Sequence, residues 1–96
     1  MSATACQRAM SISEADFIRL LPLAAMPHHL SIGKGHAELH DNGKRILITF
    51  TPQQENRIGQ LSLPVLAVNV AFEGCDTSQV EHFMAAFDRC FHRGGG

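Results

Sequence analysis

The dipeptide Asn42-Gly43 constrains this chain more than any other feature. Both residue types tolerate positive φ, as the two central positions of a type I′ hairpin turn require, and that turn matches the twist of the strands it joins. Placing the turn there fixes a register: Asp41 opposes Lys44, His40 opposes Arg45, Leu39 opposes Ile46 and Ala37 opposes Ile48. Ala37, Leu39, Ile46, Ile48 and Phe50 then share one face, while His36, Glu38, His40, Arg45, Leu47 and Thr49 share the other. A slip of one residue would invert every side chain, so turn chemistry and apolar alternation test each other. They agree on one antiparallel hairpin over residues 36–51.

The flanks are read from it. Pro52 is expected to end the second strand, with Gln53 to Arg57 as a polar loop. From Ile58 to Phe72 the chain is extended again, but its apolar residues change parity at Pro64. Leu61 and Leu63 are odd, whereas Leu66, Val68, Val70 and Phe72 are even. A bulge or break at the proline is the expected reason, giving one bent strand or two short ones.

The last helix is expected after Gly74, capped by Asp76, Thr77 or by a Ser78–Glu81 box, with Val80, Phe83, Met84, Phe87, Cys90 and Phe91 as its apolar stripe. Ser11-Ile12-Ser13-Glu14 reads as another capping box. The short helix behind it presents Phe17, Ile18 and Leu21 and should stop or bend at Pro22. Residues 22–35 read as a connection and residues 1–10 as a disordered terminus. The fold expected is α+β: a two-layer sandwich of order α-β-β-β-α, an antiparallel meander with both helices on one face. It comprises one domain over residues 11–93 and a flexible glycine tail, 94–96.

Ninety-six residues suit one domain. With no Trp or Tyr, six Phe supply all the aromatic bulk, and five of them (Phe50, Phe72, Phe83, Phe87 and Phe91) place the core in the second half. Eight Lys+Arg against nine Asp+Glu, scattered along the chain, offer no cluster that could displace counterions from phosphates or bind an anionic bilayer. No nucleic-acid or membrane partner is expected. Three cysteines without a CxxC pair suit a reducing compartment, and Glu14, Asp16 and Arg19 interrupt any leader-like apolar run. A cytoplasmic location is expected.

Several constellations could carry chemistry. His28, His29, His36 and His40 are metal-ligand types, but His36 and His40 lie about 13 Å apart along one strand, at ~3.3 Å per residue. Neither can share an ion with the other without help, and no zinc-type Cys–His spacing occurs. Solvated histidines are the blander alternative. Cys75 precedes a helix, where dipole and amides can lower a thiol pKa, or else it simply fills a strand-to-helix corner. Cys90 lies on the apolar stripe and reads as core. Gly33-Lys34-Gly35 precedes a strand and lacks the full phosphate-loop pattern, so it reads as a lead-in to the hairpin. No pair of acids is placed for general acid–base work.

Arg93-Gly94-Gly95-Gly96 ends the chain in glycines that could thread a narrow active site through Gly95 and Gly96. In this it resembles ubiquitin-like and sulfur-carrier proteins, which place the tail after a strand, where here it follows a helix. The longer pattern Phe72-Glu73-Gly74, then Phe83, Phe87, Phe91 and the glycine tail, resembles small proteobacterial proteins with this ending. That resemblance implies no particular activity.

The outward face of the sheet would show Leu47, Thr49, Val65, Ala67, Asn69 and Ala71, small and mildly apolar. The leading expectation is thus a non-enzymatic interaction or accessory module, self-associating or binding a protein through that face and needing no cofactor. A metal- or thiol-dependent enzyme or sensor is the first alternative, and a carrier with an activated C-terminus the second.

Overall fold

The computed structural model describes residues 4–25, 29–41 and 43–95. Seven elements follow in order: strand β1 (Thr4–Met10), helix α1 (Glu14–Ala25), strands β2 (His29–Gly33), β3 (His36–Asp41), β4 (Lys44–Ile58) and β5 (Leu61–Glu73), and helix α2 (Thr77–Gly95). The strands form one antiparallel sheet in the order β1-β5-β4-β3-β2. The α+β class and the antiparallel sheet with two helices stand as expected, while the element order differs.

The β3–β4 hairpin has the expected register, pair for pair from Asp41↔Lys44 to Ala37↔Ile48. Gly43 takes φ 81° as the turn demands; Asn42 lies outside the described residues.

Three expectations are corrected around it. Residues 4–10 are not a disordered terminus but an edge strand, paired with β5 from Thr4↔Phe72 to Met10↔Leu66. The segment has few strand-forming residues, and its order comes from a tertiary partner that local propensity cannot reveal. Residues 29–33, read as part of a connection, form β2 against β3. Lys34-Gly35, with Gly35 at φ 77°, makes the tight turn between them. Helix α1 runs through Pro22 to Ala25. The proline forfeits one backbone bond, and burial of Leu21, Ala24 and Ala25 on its flanks offsets that loss.

The caps also shift. Ser13, not Ser11, caps α1: its Oγ accepts the Asp16 amide at 3.2 Å. Asp76 and Gln79, not Ser78 and Glu81, form the reciprocal box of α2, with the Gln79 amide on Asp76 Oδ1 at 2.8 Å and the Asp76 amide on Gln79 Oε1 at 2.9 Å. Helix α2 continues through Gly94 and Gly95.

The irregularity expected in the third strand lies in β4, not in β5. The chain does not break at Pro52, and residues 53–57 are strand rather than loop. The Phe50 amide donates to Gly35 O at 3.0 Å, so the nitrogen two residues on, at Pro52, faces the same side, where β3 has ended. A missing donor costs nothing there. The extra residue that shifts the register lies in β4, between Gln53 and Asn56, and β5 runs unbroken past Pro64. Its parity is therefore continuous, and Leu61 and Leu63 share the face of Val65 and Ala67.

Both helices pack on the even-numbered face of β5. Leu66, Val68, Val70 and Phe72 meet Phe17 and Leu21 of α1 and Val80, Phe83, Met84, Phe87 and Phe91 of α2 in one buried cluster. Phe17, from the first half, sits at its centre. Its ring lies 5.0 Å from Phe50, 4.9 Å from Phe91 and 6.3 Å from Phe87. Arg8 projects toward the same side and reaches Asp88 of α2 with two bonds of 2.9 Å, tying the edge strand to the helix. Among the described residues no polar or charged residue is buried, and no buried side-chain N or O atom lacks a partner. No described helix is long and apolar enough to cross a membrane.

Candidate functional site

The opposite face of the sheet carries neither of the two described helices. Strand pairing arranges its side chains in rows that cross all five strands. One row runs Gly33, His36, Thr49, Asn69, Gln7, and the next Ser31, Glu38, Leu47, Ala71, Ala5. Toward the β4–β5 turn follow Thr51, Ala67 and Ala9, then Gln53 and Val65. At the other end stands a charged row of His29, His40, Arg45 and Glu73. Leu47, Thr49, Val65, Ala67 and Asn69, the residues expected on this face, all lie on it and are all half-buried. Strand β1 adds Ala5, Gln7 and Ala9, which the reading of residues 1–10 as disordered had hidden. Their only signal was the alternation of Ala5, Gln7 and Ala9 against Cys6, Arg8 and Met10.

Small side chains leave a shallow trough of about 560 Å³ between β1, β5 and β4, bordered by Gln7, Thr49, Thr51, Gln53, Ala67 and Asn69. Beyond it β4 and β5 continue as a two-stranded arm, since β1 ends opposite Leu66 and β3 begins opposite Thr49. The molecule is accordingly elongated, 47 × 22 × 22 Å. On the arm Leu61 is 66% exposed and Leu63 37%. Odd-numbered residues of β5 thus form one outward apolar stripe, Leu61, Leu63, Val65, Ala67 and Ala71, broken only by Asn69.

The charges at the far end neutralise one another. Arg45 Nε donates to Glu38 Oε1 at 3.1 Å, its Nη2 donates to the same oxygen, and Nη1 lies 3.8 Å from Glu73. His40 Nε2 stands 3.0 Å from Glu38 Oε2. The hydrogen bonds from Arg45, then from His40, hold the Glu38 carboxyl below its ordinary pKa.

The histidines converge in part. His29 is directly opposite His40 across β2 and β3. His36 lies four pairs further along, its ring over Gly33, where an added Cβ would come within 2.6 Å of it, and its Nδ1 3.2 Å from Lys34 O. His28 lies outside the described residues. Among the described residues no group of three His, Cys, Asp or Glu could hold a metal ion. At Cys75, burial pushes the thiol pKa up; Lys44 opposes this and Asp76 adds to it. That direction is away from an activated thiolate. Cys90 is half-buried against the core, its Sγ 4.0 Å from Leu20 O. Gly95 ends α2, and Gly96 lies outside the described residues.

No family model matches the chain, and neither a curated protein nor a solved structure matches it significantly.

Proposed function

We propose that this chain is an interaction module whose working surface is the open face of its sheet. One observation carries the reading: the outward stripe of β5, which leaves Leu61 and Leu63 exposed on a two-stranded arm with no further strand beside it among the described residues. A lone two-stranded hairpin is marginal in water, and an exposed strand edge with apolar side chains invites pairing. Contact of a partner with the face covers these leucines and braces the arm. The chemistry of the face supports this over catalysis, because its centre holds amides, a hydroxyl and methyl groups. Its described carboxylates, Glu38 and Glu73, are engaged with Arg45 at the rim.

The test is a photoreactive residue in place of Thr49, at the middle of the face, with one at Ala85 on the exposed side of α2 as control. Irradiation of cells producing the protein should give covalent protein adducts from position 49 and none from position 85. No adduct from position 49, or equal adducts from both, would remove the reading.

A further inference from the structure

We infer that the occupant of the open face is a second copy of this chain, packed face to face about a two-fold axis that runs along the β4–β5 seam. This rests on the interaction reading above and names its partner.

Sheets that pack face to face do so at about 10 Å, with small side chains interleaved. Ala5, Ala9, Ala67, Ala71 and Thr49 permit that approach. The face is also large enough. Five strands at ~4.8 Å and stretches of five to seven residues at ~3.3 Å span roughly 24 × 20 Å. With side-chain relief and the arm, this approaches the ~800 Å² per partner of a standard interface. Among the side chains described on the face, charge is absent from the centre and confined to the end row and the Glu38 beside it, as in interfaces whose cores exclude ions.

The orientation follows from the pattern. Two sheets facing each other by two-fold symmetry have their axis between them and parallel to both, and the near-aligned packing usual for stacked sheets puts it close to the strand direction or close to the perpendicular. An axis across the strands would lay Leu61 and Leu63 of each copy over Arg45 and Glu73 of the other, desolvating charges against methyl groups. An axis along the β4–β5 seam does the opposite. Arg45 and Glu73 are cross-strand neighbours on the two sides of that seam. Each Arg45 therefore meets Glu73 of the second copy, Thr49 meets Asn69, and the two arms lie over one another, β5 of each copy on β4 of the other. Isologous contact requires such a self-complementary patch.

The experiment uses the full chain, by sedimentation at increasing concentration, with circular dichroism to confirm folding of each variant. The wild type should reach twice the 10.5 kDa chain mass. Arg45→Glu and Glu73→Arg should each weaken dimerisation at least ~10-fold, because each sets like charges opposite one another. Mixing the two variants should restore a dimer, since the carboxylate introduced at position 45 of one copy then meets the guanidinium introduced at position 73 of the other. Ala67→Glu, pointing outward and so without consequence for the core, should be monomeric. A wild type that stays monomeric, an Ala67→Glu protein that dimerises as well as wild type, or a mixture no tighter than its components would overturn the inference. A monomeric wild type that still gives adducts at position 49 in cells sinks only the second copy. A monomer without adducts sinks the interaction reading as well.

Discussion

The two faces of one sheet are built from the same strands, yet they obey different rules. On the covered face, β5 presents Leu66, Val68, Val70 and Phe72, each at most 3% exposed and packed under two helices. On the open face the same strand presents Val65, Ala67, Asn69 and Ala71, smaller and half-buried. The covered face finds its packing partners within the chain, and it extends only as far as the helices reach. The open face runs past that limit onto the arm, where Leu61 and Leu63 continue the apolar stripe without cover. Burial inside the chain therefore sets one face, and on the reading proposed above contact outside the chain accounts for the other.

Phe17→Ala breaks the comparison most severely. It empties a site in contact with three aromatic rings and should cost about 3–5 kcal/mol, as large-to-small core changes do. Of a total of ~5–15 kcal/mol this leaves a marginal fold, readable as a lowered urea midpoint. Thr49→Ala on the open face should change the unfolding free energy by no more than about 0.5 kcal/mol, measured in urea at a dilution where single chains prevail.

Gly74→Ala comes next. Gly74 turns the chain from β5 into α2 at φ 74°, and an added Cβ would lie 3.0 Å from Gly43 O. Strain in the left-handed region plus that contact should cost on the order of 1–3 kcal/mol in thermal or urea unfolding. Asp76→Ala removes the cap of α2, the helix that covers the core, and should cost ~1 kcal/mol by the same assay.

The edge is held more weakly. Arg8 and Asp88 are 37% and 46% exposed, so solvent screens their pair; Arg8→Ala should cost less than ~1 kcal/mol, and raising the salt should erase much of the difference. The smallest effect concerns acid. Because Arg45 and His40 depress the Glu38 pKa in the folded chain, this carboxylate adds stability above the ordinary glutamate range. That contribution is lost as the pH falls through the range and below it. Glu38→Gln should flatten the acid limb of a stability-against-pH curve and leave the neutral limb nearly unchanged.

What was legible in the sequence divides along similar lines. The β3–β4 hairpin was readable because a turn and an alternation, both local, specify one register. The stripe of α2 was readable because its spacing repeats turn after turn. The edge strand β1 was not. Cys6, Gln7 and Arg8 carry no local preference for a strand, and only β5, some sixty residues away, supplies their bonds. Pro52 and Pro64 misled in another way. A proline stops a strand only where its missing amide would have been used, and Pro52 faces the side where no strand remains. The parity change at Pro64 was a true signal with a different meaning. Leu61 and Leu63 leave the core pattern because they belong to the outer face. Of the candidate residues, the open-face set was placed correctly by alternation alone. The pairing of His29 with His40 could not be foreseen while residues 29–33 passed for a connection.

The most direct test compares neighbouring residues on the two faces. In concentrated wild-type protein, methyl resonances can be read by NMR while a soluble paramagnetic agent broadens whatever it can approach. The methyls of Ala67 and Leu63 on the open face should be shielded nearly as well as those of Val68 in the core, and should become accessible on dilution. Leu23, 64% exposed on α1, marks full access. If Ala67 and Leu63 broaden as strongly as Leu23 at every concentration, the open face has no second copy on it.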